Sequence, residues 1–236
     1  MRIQYLQHVP FEGPGSIEAW AKSRGHALSA THLYRGDALP PVAQIDWLVV
    51  MGGPMSVYDE REYPWLTLEK RLIIQAIEQG KTVVGVCLGA QLIAEVLGAK
   101  VFKNRYQEIG WFPIRLTAEG KAVPTFNSLP SPLTVFHWHG ETFDLPADVV
   151  RVAESDGCAN QAFVYGERVV GLQCHLESTA ENIRALIDHC ADELVSGPYV
   201  QQPDEMLSEP DRVRVINAAM DGILDRLSSG TLDEIE

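Results

Sequence analysis

The run Thr82-Val83-Val84-Gly85-Val86-Cys87-Leu88-Gly89-Ala90-Gln91 decides how this chain is read. Its first five residues are uncharged and mostly β-branched, as in a strand buried on both faces of a parallel sheet. Beyond Cys87 the composition turns to helix formers, and Leu88 to Leu97 reads as a helix closed by Gly98. A strand that enters a helix through Gly-x-Cys-x-Gly is the thiol form of a nucleophile elbow. The turn strains the backbone at the nucleophile, and glycine removes the side chains that would collide there. At a helix N-terminus the dipole favours thiolate over thiol. The plainer alternative is a small cysteine buried at a sheet–helix junction.

The same alternation extends outward on both sides. Upstream, Ile45 to Met51 is a nearly continuous apolar run ended by Gly52-Gly53-Pro54, and a helix from Trp65 to Gln79 stops at Gly80. Its inner face is expected to carry Leu68, Leu72, Ile73, Ala76 and Ile77. Earlier still come a strand around Ile3 and Tyr5, a helix capped by Ser16 with Ile17, Trp20 and Ala21 on one face, and a strand-like stretch from His26 to Tyr34. Strand and helix in turn argue for an α/β fold with a parallel central sheet. Downstream the pattern changes. Short β-like runs at 112–116, 133–137, 149–153, 161–165 and 169–174 suggest antiparallel strands at the edge of the main sheet. A helix from Thr179 to Leu194 ends the first domain, 1–197.

Residues 198–236 form an acidic C-terminal helical extension. From 201 onward it holds nine acids, Asp233, Glu234 and Glu236 among them, against three arginines. Val213, Ile216, Met220, Ile223, Leu224 and Leu227 recur at helical spacing after Asp211, a plausible N-cap, so one face is apolar. It is expected to dock on its own domain, with a partner subunit as the alternative.

A chain of 236 residues buries enough surface to fold without disulfide or metal staples. With 46% hydrophobic and 22% charged residues it is neither disordered, collagen-like nor a coiled coil. No apolar run approaches the roughly 20 residues of a membrane span. The N-terminus lacks the h-region of a signal peptide, so a cytoplasmic location is expected. A net charge of −13 makes nucleic acid and anionic membranes poor partners. None of the four cysteines has zinc-site spacing to another, and reduced thiols are expected.

Two further strings carry chemistry. In Gly171-Leu172-Gln173-Cys174-His175-Leu176-Glu177, His175 and Glu177 stand two apart at the end of an apolar strand and can share a face. A carboxylate there fixes the imidazole tautomer, and the imidazole can take a proton from Cys87. Gly52 and Gly53 let backbone N–H groups face a crevice at the carboxyl end of a strand. His137, His139 and Glu141 alternate on a third, strand-like run and are also a zinc-ligand set. With no fourth ligand in the sequence, lining a cleft or packing is favoured and no metal is expected.

With these strings in this order, the sequence resembles the class I, triad-type glutamine amidotransferases over residues 40 to 190. Within them it looks most like stand-alone relatives of the glutaminase domain of guanylate synthetase. The resemblance implies a flavodoxin-like three-layer sandwich and glutamine hydrolysis through a thioester. It makes Cys87 the nucleophile, His175 the base and Glu177 the orienting acid. It makes the N–H groups of Gly53 and Leu88 the oxyanion hole, and assigns Gly52, Gln91, Trp138, Gly140 and Glu141 to the substrate, with Gln107 to Trp111 nearby. The family has an aromatic residue before the histidine and a proline after it; here they are Cys174 and Leu176. No cofactor is implied. The substrate is glutamine or a γ-glutamyl compound, and a separate synthetase subunit is the implied partner. A self-sufficient γ-glutamyl peptidase or hydrolase is the alternative, and a non-catalytic binding module the third reading.

Overall fold

The computed structural model describes residues 1–146 and 148–232. In chain order the regular elements are β1 (Arg2–Gln7), α1 (Ser16–Ser23), β2 (Ala27–His32), β3 (Trp47–Val50), α2 (Trp65–Glu78), β4 (Thr82–Val86) and α3 (Leu88–Val96). Then come β5 (Val101–Leu116), α4 (Ala118–Ala122), β6 (Leu133–Phe143), β7 (Val149–Glu154), β8 (Ala162–Tyr165) and β9 (Val169–Leu172). The helices α5 (Ala180–His189), α6 (Pro203–Leu207) and α7 (Asp211–Leu232) finish the described chain. Asp233, Glu234 and Glu236 of the acidic stretch lie outside the described residues. Among the described residues, no helix is long and apolar enough to cross a membrane.

The nine strands form one mixed sheet in the order β2-β1-β3-β4-β9-β8-β7-β5-β6. The first five are parallel, and the pairings from β9 onward are antiparallel. This is the α/β architecture the sequence implies, with one strand placed differently. The pattern groups β9 with the antiparallel edge, yet it lies parallel to β4, from Val83 opposite Val169 to Val86 opposite Leu172. All four of its residues are buried, as in a strand covered on both faces. β5 is also longer than its pattern suggests. A register shift between Lys103 and Glu108 breaks the period of two that marks a strand in sequence.

Helix boundaries follow local chemistry. α1 begins at Ser16, but the residue before it is Gly15 at φ +54°, and the Ser16 side chain makes no cap. α5 has a reciprocal cap at Thr179, which accepts from the Asn182 amide while the Asn182 side chain accepts in return. In α2 the inner face differs from expectation: Leu68 is 55% exposed, whereas Glu69 is fully buried. Glu69 has a buried partner, described below, which offsets the cost of its charge.

Two apolar layers flank the sheet. One holds Leu48, Val50, Leu72, Ile73, Leu92 and Ile93. The other joins Ile17, Trp20 and Trp47 to α7, whose Ile216, Met220, Ile223 and Leu224 are fully buried. Each such side chain contributes roughly 1.5–3 kcal/mol. Asp225 fastens the same helix to α1, accepting from Trp20 Nε1 at 2.8 Å and pairing with Arg24 at 2.7 Å.

Candidate active site

Cys87 sits between β4 and α3 with φ +51° and ψ −107°, a backbone that L-residues seldom adopt. The neighbouring glycines make this turn possible. A Cβ on Gly89 would lie 2.0 Å from the Val50 carbonyl oxygen, and one on Gly85 would lie 2.5 Å from the Gly89 backbone. The Cys87 N–H donates to the Leu172 carbonyl at 2.7 Å, which ties the elbow to β9. Its Sγ stands 3.5 Å from the Trp138 carbonyl and 3.7 Å from Gln173 Nε2, and the Leu88 amide also points at the sulfur. Burial pushes the Cys87 thiol up, and His175 opposes that push.

His175 and Glu177 do meet, though not on a strand. β9 ends at Leu172, and His175 bridges instead to β6, its N–H donating to the Phe136 carbonyl at 2.8 Å. His175 Nδ1 lies 2.8 Å from Glu177 Oε1. A carboxylate can only accept, so Nδ1 carries the proton and Nε2 is left with its lone pair. Nε2 has no hydrogen-bond partner among the described residues, and Cys87 is near enough that each group shifts the other's proton affinity. Burial works against a charged His175, but Glu177 and Cys87 outweigh it and its pKa rises.

The loop at Glu177 is held from outside. The Ser16 N–H donates to the Glu177 carbonyl at 2.8 Å, and Asn217 of α7 donates to the carbonyls of Leu176 and Ser178, both at 3.0 Å. Leu176 and Cys174 are themselves buried in the core. These contacts hold the backbone on both sides of Glu177.

A cavity of about 260 Å³ opens over Cys87. Of the residues singled out in sequence, it brings together Gly53, Cys87, Gln91, Trp138, Gly140 and Glu141. Gly52, His175 and Glu177 line an adjoining crevice. Gln91 donates to Gln173 Oε1 at 3.2 Å and faces the Glu141 carbonyl at 3.4 Å. The set His137, His139 and Glu141 does not stay together. Glu141 turns to the cavity and to Ser56 Oγ at 3.3 Å, while the two histidines converge on Glu108.

A sequence model of the class-I glutamine amidotransferases matches residues 23–191. This chain belongs to that family. It is 43% identical over 198 residues to the glutamine amidotransferase-like protein YfeJ of Salmonella typhimurium, covering 82% of this chain and 83% of that one. It is 32% identical over 136 residues to the glutamine-hydrolysing GMP synthase of Vibrio parahaemolyticus, but spans only 24% of that protein. Among solved structures, a glutamine amidotransferase from Thermotoga maritima is similar, with a TM-score of 0.87 at 33% identity over 96% of this chain and 97% of that one. Another, from Methylobacillus flagellatus, gives 0.91 at 30% identity over 97% and 94%.

Sequence reasoning about this class-I glutamine amidotransferase misses three residues around Cys87. His8 and Glu69 form a fully buried pair, with Nε2 2.9 Å from Oε1. Burial pulls the His8 pKa down, but Glu69 outweighs it and the net direction is up. His8 Nδ1 donates to the Gly52 carbonyl at 3.0 Å. In a trans peptide the carbonyl and the next N–H point in opposite directions, so this bond also fixes the N–H of Gly53. The third residue is Glu12, whose carboxylate packs on the glycine turn. A Cβ on Gly52 would fall 2.2 Å from its Oε2. Burial pushes Glu12 up to about 7, against the pull of His175 and His8. None of the three carries a motif. His8 and Glu12 both follow the first strand, and only the fold brings Glu69 to His8.

Proposed function

We propose that this chain hydrolyses the side-chain amide of glutamine or a γ-glutamyl compound through a thioester on Cys87. One observation carries the reading: a thiol on a strained elbow, facing an imidazole whose other nitrogen is held by a buried carboxylate. His175 Nε2 takes the Cys87 proton as Sγ attacks the amide carbon. The N–H groups of Gly53 and Leu88 receive the negative oxygen. Collapse breaks the C–N bond, and His175 returns the proton to the leaving ammonia. His175 then takes a proton from water as it attacks the thioester, and glutamate leaves with Cys87 restored. Glu177 holds the imidazole throughout. Gly52, Gln91, Trp138, Gly140 and Glu141 form the walls that orient the substrate.

The family likeness includes glutamine-hydrolysing synthases much longer than this chain. As part of the same proposal, the ammonia released here passes to a separate synthetase subunit. The test offers the purified chain glutamine and a panel of γ-glutamyl peptides, and measures released ammonia, amine and glutamate. Cys87-dependent glutamate release supports the reading. Release confined to γ-glutamyl peptides would transfer it to a peptidase, and no release from any of them, with Cys87 inert to alkylation, would leave a binding module.

A further inference from the structure

Strand β6 carries His137 and His139 two residues apart, so both side chains leave the same face. On the neighbouring strand β5, Glu108 is the register partner of His139, and Gly110 that of His137. All three side chains are buried, and their donor atoms lie within 4.8 Å of one another. In sequence the third residue of this set is Glu141, which favours a packing role. In the fold the third residue is Glu108, from a different strand.

Hydrogen bonds fix which atoms face inward. His137 Nε2 lies 3.2 Å from the Phe112 carbonyl, and His139 Nδ1 lies 3.0 Å from the Glu141 carbonyl. Carbonyls only accept, so these two nitrogens carry the protons. The lone pairs are then left on His137 Nδ1 and His139 Nε2 in the neutral rings. His139 Nε2 stands 3.1 Å from Glu108 Oε2. The Glu108 oxygens already accept from Ser155 Oγ and Gln161 Nε2, both at 2.6 Å. With both rings neutral, three electron-pair donors converge here with no hydrogen between them. A protonated His139 would satisfy Glu108, but it would still leave His137 Nδ1, which has no partner among the described residues.

We propose that Glu108, His137 and His139 bind a divalent transition-metal ion, with zinc the cation that two imidazoles and a carboxylate suit best. Donors about 2.1 Å from a common ion lie at most about 4.2 Å apart, so small side-chain shifts close the site. Each ring already gives its other N–H to a carbonyl, and the carboxylate is doubly hydrogen-bonded, which is how metal ligands are normally oriented. His139 lines the cavity over Cys87, which provides the path of entry. The bound ion would brace Trp138 to Glu141, the wall of that cavity.

The test strips the full chain with a chelator and titrates it with Zn²⁺, or with Co²⁺ as a spectroscopic probe, so it does not depend on glutaminase activity. One equivalent should bind, with the visible d–d bands of a nitrogen and oxygen site and no thiolate charge-transfer band. His137→Gln and Glu108→Gln should each weaken binding by more than about 100-fold, and Ser155→Ala by about 10–100-fold. Glu108→Gln keeps the size of the side chain, so it serves if His137→Gln does not fold. Cys87→Ala should bind as the parent does. Failure to retain either metal, binding that survives Glu108→Gln, or a thiolate band lost in Cys87→Ala would each overturn the site.

Discussion

Two buried histidine–carboxylate pairs flank Cys87, and they differ in one atom's neighbour. His175 meets Glu177 at 2.8 Å, and His8 meets Glu69 at 2.9 Å. In both, burial disfavours the charged ring and the carboxylate outweighs it. His8, however, uses both nitrogens, one on Glu69 and one on the Gly52 carbonyl. A proton cannot leave it without breaking a buried hydrogen bond. His175 uses only Nδ1 and keeps Nε2 for the thiol. On the proposed mechanism the same pair is a brace in one place and a proton carrier in the other, and the second nitrogen decides which.

The largest expected effect comes from removing what His175 faces. Cys87→Ala should abolish turnover while the circular dichroism spectrum and melting midpoint stay close to the parent's; glutamate release by the pure variant would refute the nucleophile assignment. The next two variants set the pairs against each other. Glu177→Gln should slow kcat by roughly 10²–10⁴, as amide replacement does in triads of this kind, with little change in melting. Glu69→Gln should do the reverse. It should lower stability by about 1–3 kcal/mol in denaturant titrations, because a buried charge-assisted hydrogen bond is lost, and cost less than about 10-fold in rate. If the two variants behave alike, the distinction between brace and carrier fails.

The smallest effect belongs to Glu12. Its carboxylate raises the Cys87 thiol, so Glu12→Gln should move the pH profile of Cys87 alkylation to lower pH. The carboxyl is neutral below about 7, so parent and variant should converge there and separate above it. Stability follows the same proton. The folded pKa lies above the unfolded value of 4.5, so the parent holds its stability below 4.5 and loses it as the pH rises through about 7. The variant has no such proton to lose, so its melting midpoint should gain on the parent's across that window. A constant difference would mean that Glu12 titrates as an ordinary surface acid.

The elbow is legible in sequence because every requirement lies within a few residues: a buried strand, a thiol, two glycines and a helix start. The convergence of His175 with Glu177 is legible for a reason that holds only in part. The spacing of two suggests a shared strand face, but β9 stops at Leu172, and the bridge to Phe136 does the positioning. His8 and Glu69 are 61 residues apart and meet through the packing of α2 on the sheet. Nothing local marks either residue. Glu108 is hidden for another reason, since the bulge in β5 erases the alternation that would have placed it beside His139. Pattern reading finds what neighbours in sequence determine, and it misses pairs made by the topology.

The clamp on Glu177 has a consequence for how the chain is made. Asn217 follows Leu176 by 41 residues, yet it holds the carbonyls on either side of Glu177. Chains emerge N-terminus first at about 5–20 residues per second, so the loop waits some seconds for its clamp. During that interval Cys87 has already been synthesised, but the acid that orients His175 lacks one of its supports. The last long helix thus closes this clamp late: a nascent chain carries Cys87 before it carries the residue that holds the loop of Glu177.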